Sequence, residues 1–162
     1  MRGQHVVAVA GLIVRHDFSG QSSLARLDSS LARPRARFDV AAPRVLALRR
    51  AASNLAGPGL WETVSGRIEQ GEEPLAAVQR EIVEESGLTV AVEDRPFATY
   101  AAQRRGQPMI VILFRARYLA GEVTLSAEHD AFAWLAADEF RARSTLLPLV
   151  TVVEQALTLP LL

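Results

Sequence analysis

The chain has 162 residues, enough for one domain able to bury a real core. Its 49% hydrophobic and 22% charged content is that of an ordinary globular protein, and its formal net charge of zero argues against a general nucleic-acid polymer or membrane binder. The absence of cysteine excludes disulfides, thiolate zinc and thiol catalysis, and fits a reducing, cytoplasmic location. All 18 basic residues are arginine, which reads as a codon bias rather than as selection for phosphate binding.

Along the chain, His5 to Arg15 is apolar and nearly continuous, as a central buried strand should be. It has no small-residue cleavage site, and Arg15-His16-Asp17 interrupts it, so a strand is expected here and not a leader. Residues 17–43, with Ser, Arg, Ala and two prolines, show weak periodicity; they are expected to form a long, partly disordered loop or a lid. A strand is expected over Arg44 to Arg50, then a turn at Gly57-Pro58-Gly59, then an extended segment Trp61 to Val64.

Pro74 suits the first turn of a helix, Leu75, Val78 and Ile82 recur at helical spacing, and Gly87 supplies a left-handed stop. Beyond it, Leu88 to Tyr100 and Met109 to Leu119 read as strands around a polar turn at Gln103 to Pro108. Gly121 marks a turn before a short strand, Phe132 to Leu135 forms the next, and Ala137 to Arg143 a short helix. Leu146, Leu149, Val150, Val153 and Leu157 predict a terminal helix that docks one face. No apolar run reaches the roughly 18 residues of a membrane span without interruption, and no internal repeat or second-domain boundary is visible, so residues 1–162 read as a single domain.

The chemistry concentrates in Gly66 to Leu88, GRIEQGEEPLAAVQREIVEESGL. On the expected helix, Glu81, Glu84 and Glu85 fall within one arc beside the apolar stripe, and Arg80 lies one turn before Glu84. Like charges at that range repel by about a few tenths of a kcal/mol per exposed pair, which solvent tolerates. A hard divalent cation would turn the same cluster into a site, because carboxylate oxygens are what Mg²⁺ and Mn²⁺ prefer. Magnesium completes its shell with water and phosphate oxygens, so the helix points to phosphate chemistry.

With Gly66, Glu72 and Arg80-Glu81-Ile82-Val83-Glu84-Glu85-Ser86-Gly87-Leu88 at these spacings, the stretch resembles the Nudix box of MutT-like hydrolases, with no fixed position missing. The motif covers about a seventh of the chain. The resemblance implies an α/β fold, an α/β/α sandwich around a mixed sheet, and Mg²⁺- or Mn²⁺-dependent hydrolysis of a nucleoside diphosphate linked to another moiety. It implies Glu84 and Glu85 as principal metal ligands and Glu81 as a further ligand or base. Arg80 would hold Glu81, and Glu72 would brace the loop. The residue before Gly66 gives a backbone carbonyl to the metal in the family; here it is Ser65 where glycine is usual.

A loop glutamate is the base in some MutT-type members, and Glu128, six residues before Trp134, occupies the corresponding place, with His129 beside it. Subfamily signals for ADP-ribose, diadenosine polyphosphates and coenzyme A are absent. The leading expectation is a nucleoside triphosphate substrate, with ADP-ribose or nucleotide-sugars as the alternative and a non-catalytic nucleotide-sensing module as a reading of a different class. A base slot could use Phe18, Trp61, Phe97, Tyr100 or Phe114, and phosphates could meet Arg49, Arg50, Arg104 or Arg105. The resemblance leaves a homodimer open.

Overall fold

The computed structural model describes residues 6–16, 42–55, 57–104 and 106–160. In chain order these form β1 (Val6–Arg15), β2 (Arg44–Arg50), β3 (Trp61–Glu62), β4 (Val64–Arg67), α1 (Pro74–Ser86), β5 (Thr89–Val92), β6 (Ala98–Arg104), β7 (Gln107–Ala120), β8 (His129–Leu135), α2 (Ala137–Arg143) and α3 (Leu147–Thr158). Of the segment expected as a loop or lid, residues 17–41 lie outside the described residues.

The centre of the sheet is β1 beside β7, parallel from Val6↔Met109 to Val14↔Arg117. β1 and the middle of β7, Val111 to Ala116, are covered on both faces, which is why those runs are apolar almost without alternation. The far edge of β1 is shared: Val14 and Arg15 pair with β2, while Ala8 to Gly11 pair with β4, both antiparallel. β2 in turn pairs with β3 and β8, and β7 carries both β5 and β6. The sheet is therefore mixed.

Side chains on its two faces make two cores. Leu12, Val45, Ala47 and Leu113 pack against Phe140 of α2 and Leu149, Val150 and Val153 of α3. On the other face Val9, Ile13, Leu46 and Phe114 pack against Val78 and Ile82 of α1. This is an α/β/α sandwich. Gly11 of β1 lets α1 come close, since a Cβ there would sit 3.0 Å from Ile82 Cδ1. Burying Val78 and Ile82 completely contributes roughly 1.5–3 kcal/mol each, and that docking fixes the rotation of α1 about its axis.

α1 begins and ends where its sequence signals lie. Pro74 occupies the first turn, and Gly87 caps the helix with φ 66° while its N–H donates to the Val83 carbonyl. α3 buries the stripe expected of it, and Arg115, paired with Glu93 at 2.8 Å, reaches the Leu159 carbonyl at its far end. No helix of the described residues is long and apolar enough to cross a membrane.

Several expectations are corrected. The run from Leu88 to Tyr100 is two strands, because residues 93–97 turn away around Pro96, which has no N–H to give a ladder; both halves pair with the 14-residue β7. Trp61 to Val64 likewise breaks at Thr63, where the chain passes from β2 to β1 as its partner. No strand follows Gly121 within residues 121–126; Thr124 instead donates its N–H to the Ser86 carbonyl. β8 starts earlier than expected, at His129.

Candidate functional site

Since Val78 and Ile82 face the sheet, Glu81 and Glu85, one turn apart on the same flank of α1, are carried towards β4. Both are buried, at 9% and 5% exposure. Glu85 Oε2 accepts the Ser65 N–H at 2.9 Å. Gly66 follows, and a Cβ there would fall on the Glu81 carboxyl group. Glu84 lies further round the helix, with 56% of its side chain exposed. The three carboxylates expected on one arc are therefore two buried and one exposed.

Arg80 ties the preceding loop to the helix. Its Nε and Nη2 donate to the two carboxylate oxygens of Glu72, each at 2.9 Å, and Nη2 also reaches the Arg67 carbonyl. Nη1 donates to Glu81 at 2.7 Å and to Glu84 at 3.3 Å. Glu72 in addition accepts the Glu69 N–H. Thus the brace expected of Glu72 and the Arg80–Glu81 bond are both present as geometry.

The electrostatics divide these carboxylates. The hydrogen bond from Arg80, helped by the Glu69 N–H, lowers the Glu72 pKa to about 2. Burial pushes Glu85 the other way, to about 8; the Ser65 N–H opposes this, and the charges of Glu62, Glu81 and Glu128 add to it. Glu81 is also raised by burial, against the pull of Arg80. The charge of Glu128 adds a smaller push in the same direction at both buried glutamates. Its loop is pinned by the Ala51 N–H, which donates to the Glu128 carbonyl at 2.9 Å.

Among the described residues, no three acidic or histidine side chains stand together as a ready metal cage. The donor set nevertheless fits a hard cation. Glu85 is a buried carboxylate with one N–H donor and with Glu81 one turn away on the same flank of α1, and a bound cation would offset that charge without protonation.

A cavity of about 650 Å³ opens beside β4 on the α3 side of the sheet, with Ser65 and Gly66 at its edge. One end is polar, with Arg50, Glu62, Thr63 and Arg104. The remainder is apolar, including Met109, Val111, Leu146 and Leu149. Of the aromatic candidates, only Tyr100 is placed on its wall. Trp61 lies under the Arg143 guanidinium and Phe97 under that of Arg115, Phe114 is buried on the α1 side, and Phe18 lies outside the described residues.

Among the arginines, Arg49 pairs with Asp130 at 2.7 Å and Arg104 lines the cavity, while Arg105 lies outside the described residues. Arg50 is buried, not solvated, in a salt bridge to Glu62. His129, expected as a loop residue, is buried at the start of β8 with Nε2 3.1 Å from Glu62. Sequence reasoning missed Glu62 and Thr63 altogether. The available signal was an acidic residue inside a strand-like run, directly before the glycine-bearing loop.

Comparison with known proteins points to one family. The NUDIX domain family model matches residues 35–153. A MutT-like protein of Streptomyces ambofaciens is 31% identical over 139 residues, covering 86% of this chain and 69% of that protein. An asymmetrical bis(5'-nucleosyl)-tetraphosphatase of Sus scrofa is 34% identical over 84 residues, 49% of this chain and 57% of the relative. The crystal structure of a C. elegans Ap4A hydrolase binary complex superposes with a TM-score of 0.70 at 19% identity, over 93% of this chain and 94% of that one, which is a likeness of fold. The chain belongs to the Nudix family, whose hydrolases act on phosphoanhydride bonds.

Proposed function

We propose that the protein is a pyrophosphohydrolase of nucleoside diphosphate-linked substrates, with nucleoside triphosphates as its leading substrate class. The observation that carries this reading is a juxtaposition. The acidic flank of α1 meets Ser65 and Gly66 of β4 at the edge of a cavity that is polar at one end and apolar over the rest. A phosphate chain at the carboxylates leaves its nucleoside in the apolar part, whose volume lies within the usual range of small-molecule sites.

Glu81, Glu84 and Glu85, with the Ser65 carbonyl, would hold a divalent cation, which supplies positive charge to the phosphate oxygens and acidifies water when bound. The chain's own residues supply the remainder. Arg80 holds the Glu81 carboxylate at one oxygen and locks the loop through Glu72. Glu128, on a loop whose charge reaches Glu81 and Glu85, serves as the proton acceptor. Arg104 stands at the polar end of the cavity to meet phosphate charge.

A panel of nucleoside triphosphates, ADP-ribose and nucleotide-sugars, assayed with Mg²⁺ and with chelator, tests the reading. Turnover of at least one substrate is expected in Mg²⁺ and its loss in chelator; turnover that ignores the chelator, or none on any substrate, overturns it. Glu128→Gln is expected to cost about 10²–10⁴-fold in turnover without a change in melting temperature. A loss below threefold moves the base elsewhere.

The similarity to the Sus scrofa tetraphosphatase favours a second reading, a dinucleoside polyphosphate substrate. Adding such compounds to the panel separates the two by kcat/KM.

A further inference from the structure

The polar end of the cavity contains a buried charge chain that the hydrolytic reading does not use. The register between β2 and β8 shifts between Arg49 and Arg50, and Arg50 becomes the strand partner of His129. There its guanidinium grips Glu62 twice, Nε to Oε1 at 2.6 Å and Nη2 to Oε2 at 2.8 Å. Glu62 Oε1 also meets His129 Nε2 at 3.1 Å. All three residues are buried, as is the neighbouring Thr63 at 1% exposure.

This chain is not fully satisfied. Arg50 Nη1, His129 Nδ1 and Thr63 Oγ1 are buried without a hydrogen-bond partner among the described residues, and of these residues Arg50 and Thr63 line the cavity. Buried polar groups left unpaired are costly and rare, so two of them on residues that line one cavity call for a partner that reaches them from it. The two-point grip of Glu62 fixes the guanidinium plane, which leaves Nη1 a donor with a set direction. The ligand chemistry follows from the charges. Arg104 lines the same end of the cavity, where burial and the nearby charges of Arg50 and Arg67 lower its pKa. Two guanidinium groups, Arg50 and Arg104, line the cavity beside Ser65 and Gly66 of β4, and such forks suit a phosphate oxygen better than a neutral base edge.

We propose that Arg50 Nη1 and Thr63 Oγ1 form a two-point donor anchor for a phosphate oxygen of the bound nucleotide, with Glu62 and His129 as positioning residues that hold the anchor rigid. The proposal rests on the reading of the cavity as a nucleotide site. Because the anchor is complete without a cation, it can be tested apart from turnover.

Calorimetric titration in chelator with the four common nucleoside monophosphates, the corresponding nucleosides and inorganic pyrophosphate provides that test. Thr63→Val keeps the shape of the side chain and removes only the hydroxyl. It is expected to weaken monophosphate and pyrophosphate binding about tenfold, leave nucleoside binding within twofold, and leave the melting temperature equal or higher. Arg50→Lys keeps the charge and loses the fork, and is expected to weaken phosphate binding further. In Mg²⁺, His129→Ala is expected to raise KM at least fivefold with kcat within threefold, and His129→Gln, whose amide can still donate to Glu62, to restore most of the loss.

Binding by Thr63→Val and Arg50→Lys within twofold of wild type overturns the anchor. An equal loss for nucleosides overturns its assignment to phosphate. A wild type that binds neither monophosphates nor pyrophosphate in chelator also overturns it, while Mg²⁺-dependent turnover by the same preparation leaves the hydrolase reading standing.

Discussion

Glu85→Gln is expected to lower turnover by about three orders of magnitude or more while making the chelator-treated protein more stable at pH 8. The loss follows from the proposed role of Glu85 as a principal metal ligand, since the neutral amide brings no charge to a divalent ion. The gain follows from its surroundings. With a pKa of about 8 in the fold against an ordinary value of 4.5, the Glu85 carboxyl binds its proton more tightly folded than unfolded. Stability contributed by this group is therefore present below about pH 4.5, declines as pH rises, and is lost above about pH 8. The shift corresponds to a cost on the order of 4–5 kcal/mol at pH 8, an upper bound because the chain around the carboxylate can relax. Glutamine fills the same space and still accepts the Ser65 N–H, without ionising. Melting temperatures in chelator between pH 5 and pH 8 are accordingly expected to fall for wild type and to stay nearly level for Glu85→Gln. Mg²⁺ should stabilise the wild type far more than the variant. Glu84→Gln provides the contrast: the same loss of turnover, but no gain in stability, because Glu84 is exposed. A Glu85→Gln variant retaining more than a tenth of wild-type turnover ends the assignment.

What the sequence encodes locally was legible in it. Pro74 and Gly87 bracket α1 because each fixes a backbone geometry by itself. β1 and the middle of β7 stand out because strands covered on both faces are built mostly of apolar residues, Arg115 being admitted by its pairing with Glu93. Helical spacing put Arg80 beside Glu84, and the Nudix resemblance implied its hold on Glu81, but its two hydrogen bonds to Glu72 appear only in the fold. The features that stayed hidden all depend on partners far along the chain. Arg50 and Glu62 look like solvated charges until β2 and β3 bring them together inside the protein, and His129 completes their group from β8. Helical phase alone could not separate buried Glu85 from exposed Glu84; the depth to which Val78 and Ile82 sink α1 into the sheet does that. The aromatic residues were ambiguous for the same reason, because two guanidinium groups from distant segments cover Trp61 and Phe97 and leave Tyr100 facing the cavity.

Gly66→Ala is expected to reduce turnover by about 10²–10³-fold with little loss of stability. Gly66 is not among the glycines with positive φ, so alanine introduces no backbone strain there. It lies within β4, opposite Val9, and its missing side chain is the space that the Glu81 carboxyl group fills. A methyl group must expel that carboxylate, which sits at the free end of a flexible side chain and can swing away at modest cost. Glu81 then leaves the 2.7 Å bond from Arg80 and its place beside Glu85. Displacements of about an ångström in a catalytic group can cost 10²-fold on their own. Gly71→Ala is the matched control. Gly71 has φ 82° and no heavy atom within 4 Å of its would-be Cβ, so alanine there meets strain but no neighbour. It is expected to cost about 1 kcal/mol of stability and to leave turnover within a few fold. The pair of variants separates a glycine kept for its backbone from one kept for the carboxylate it admits. If Gly66→Ala turned over substrate within tenfold of wild type, Glu81 would have no catalytic part in the position it holds here.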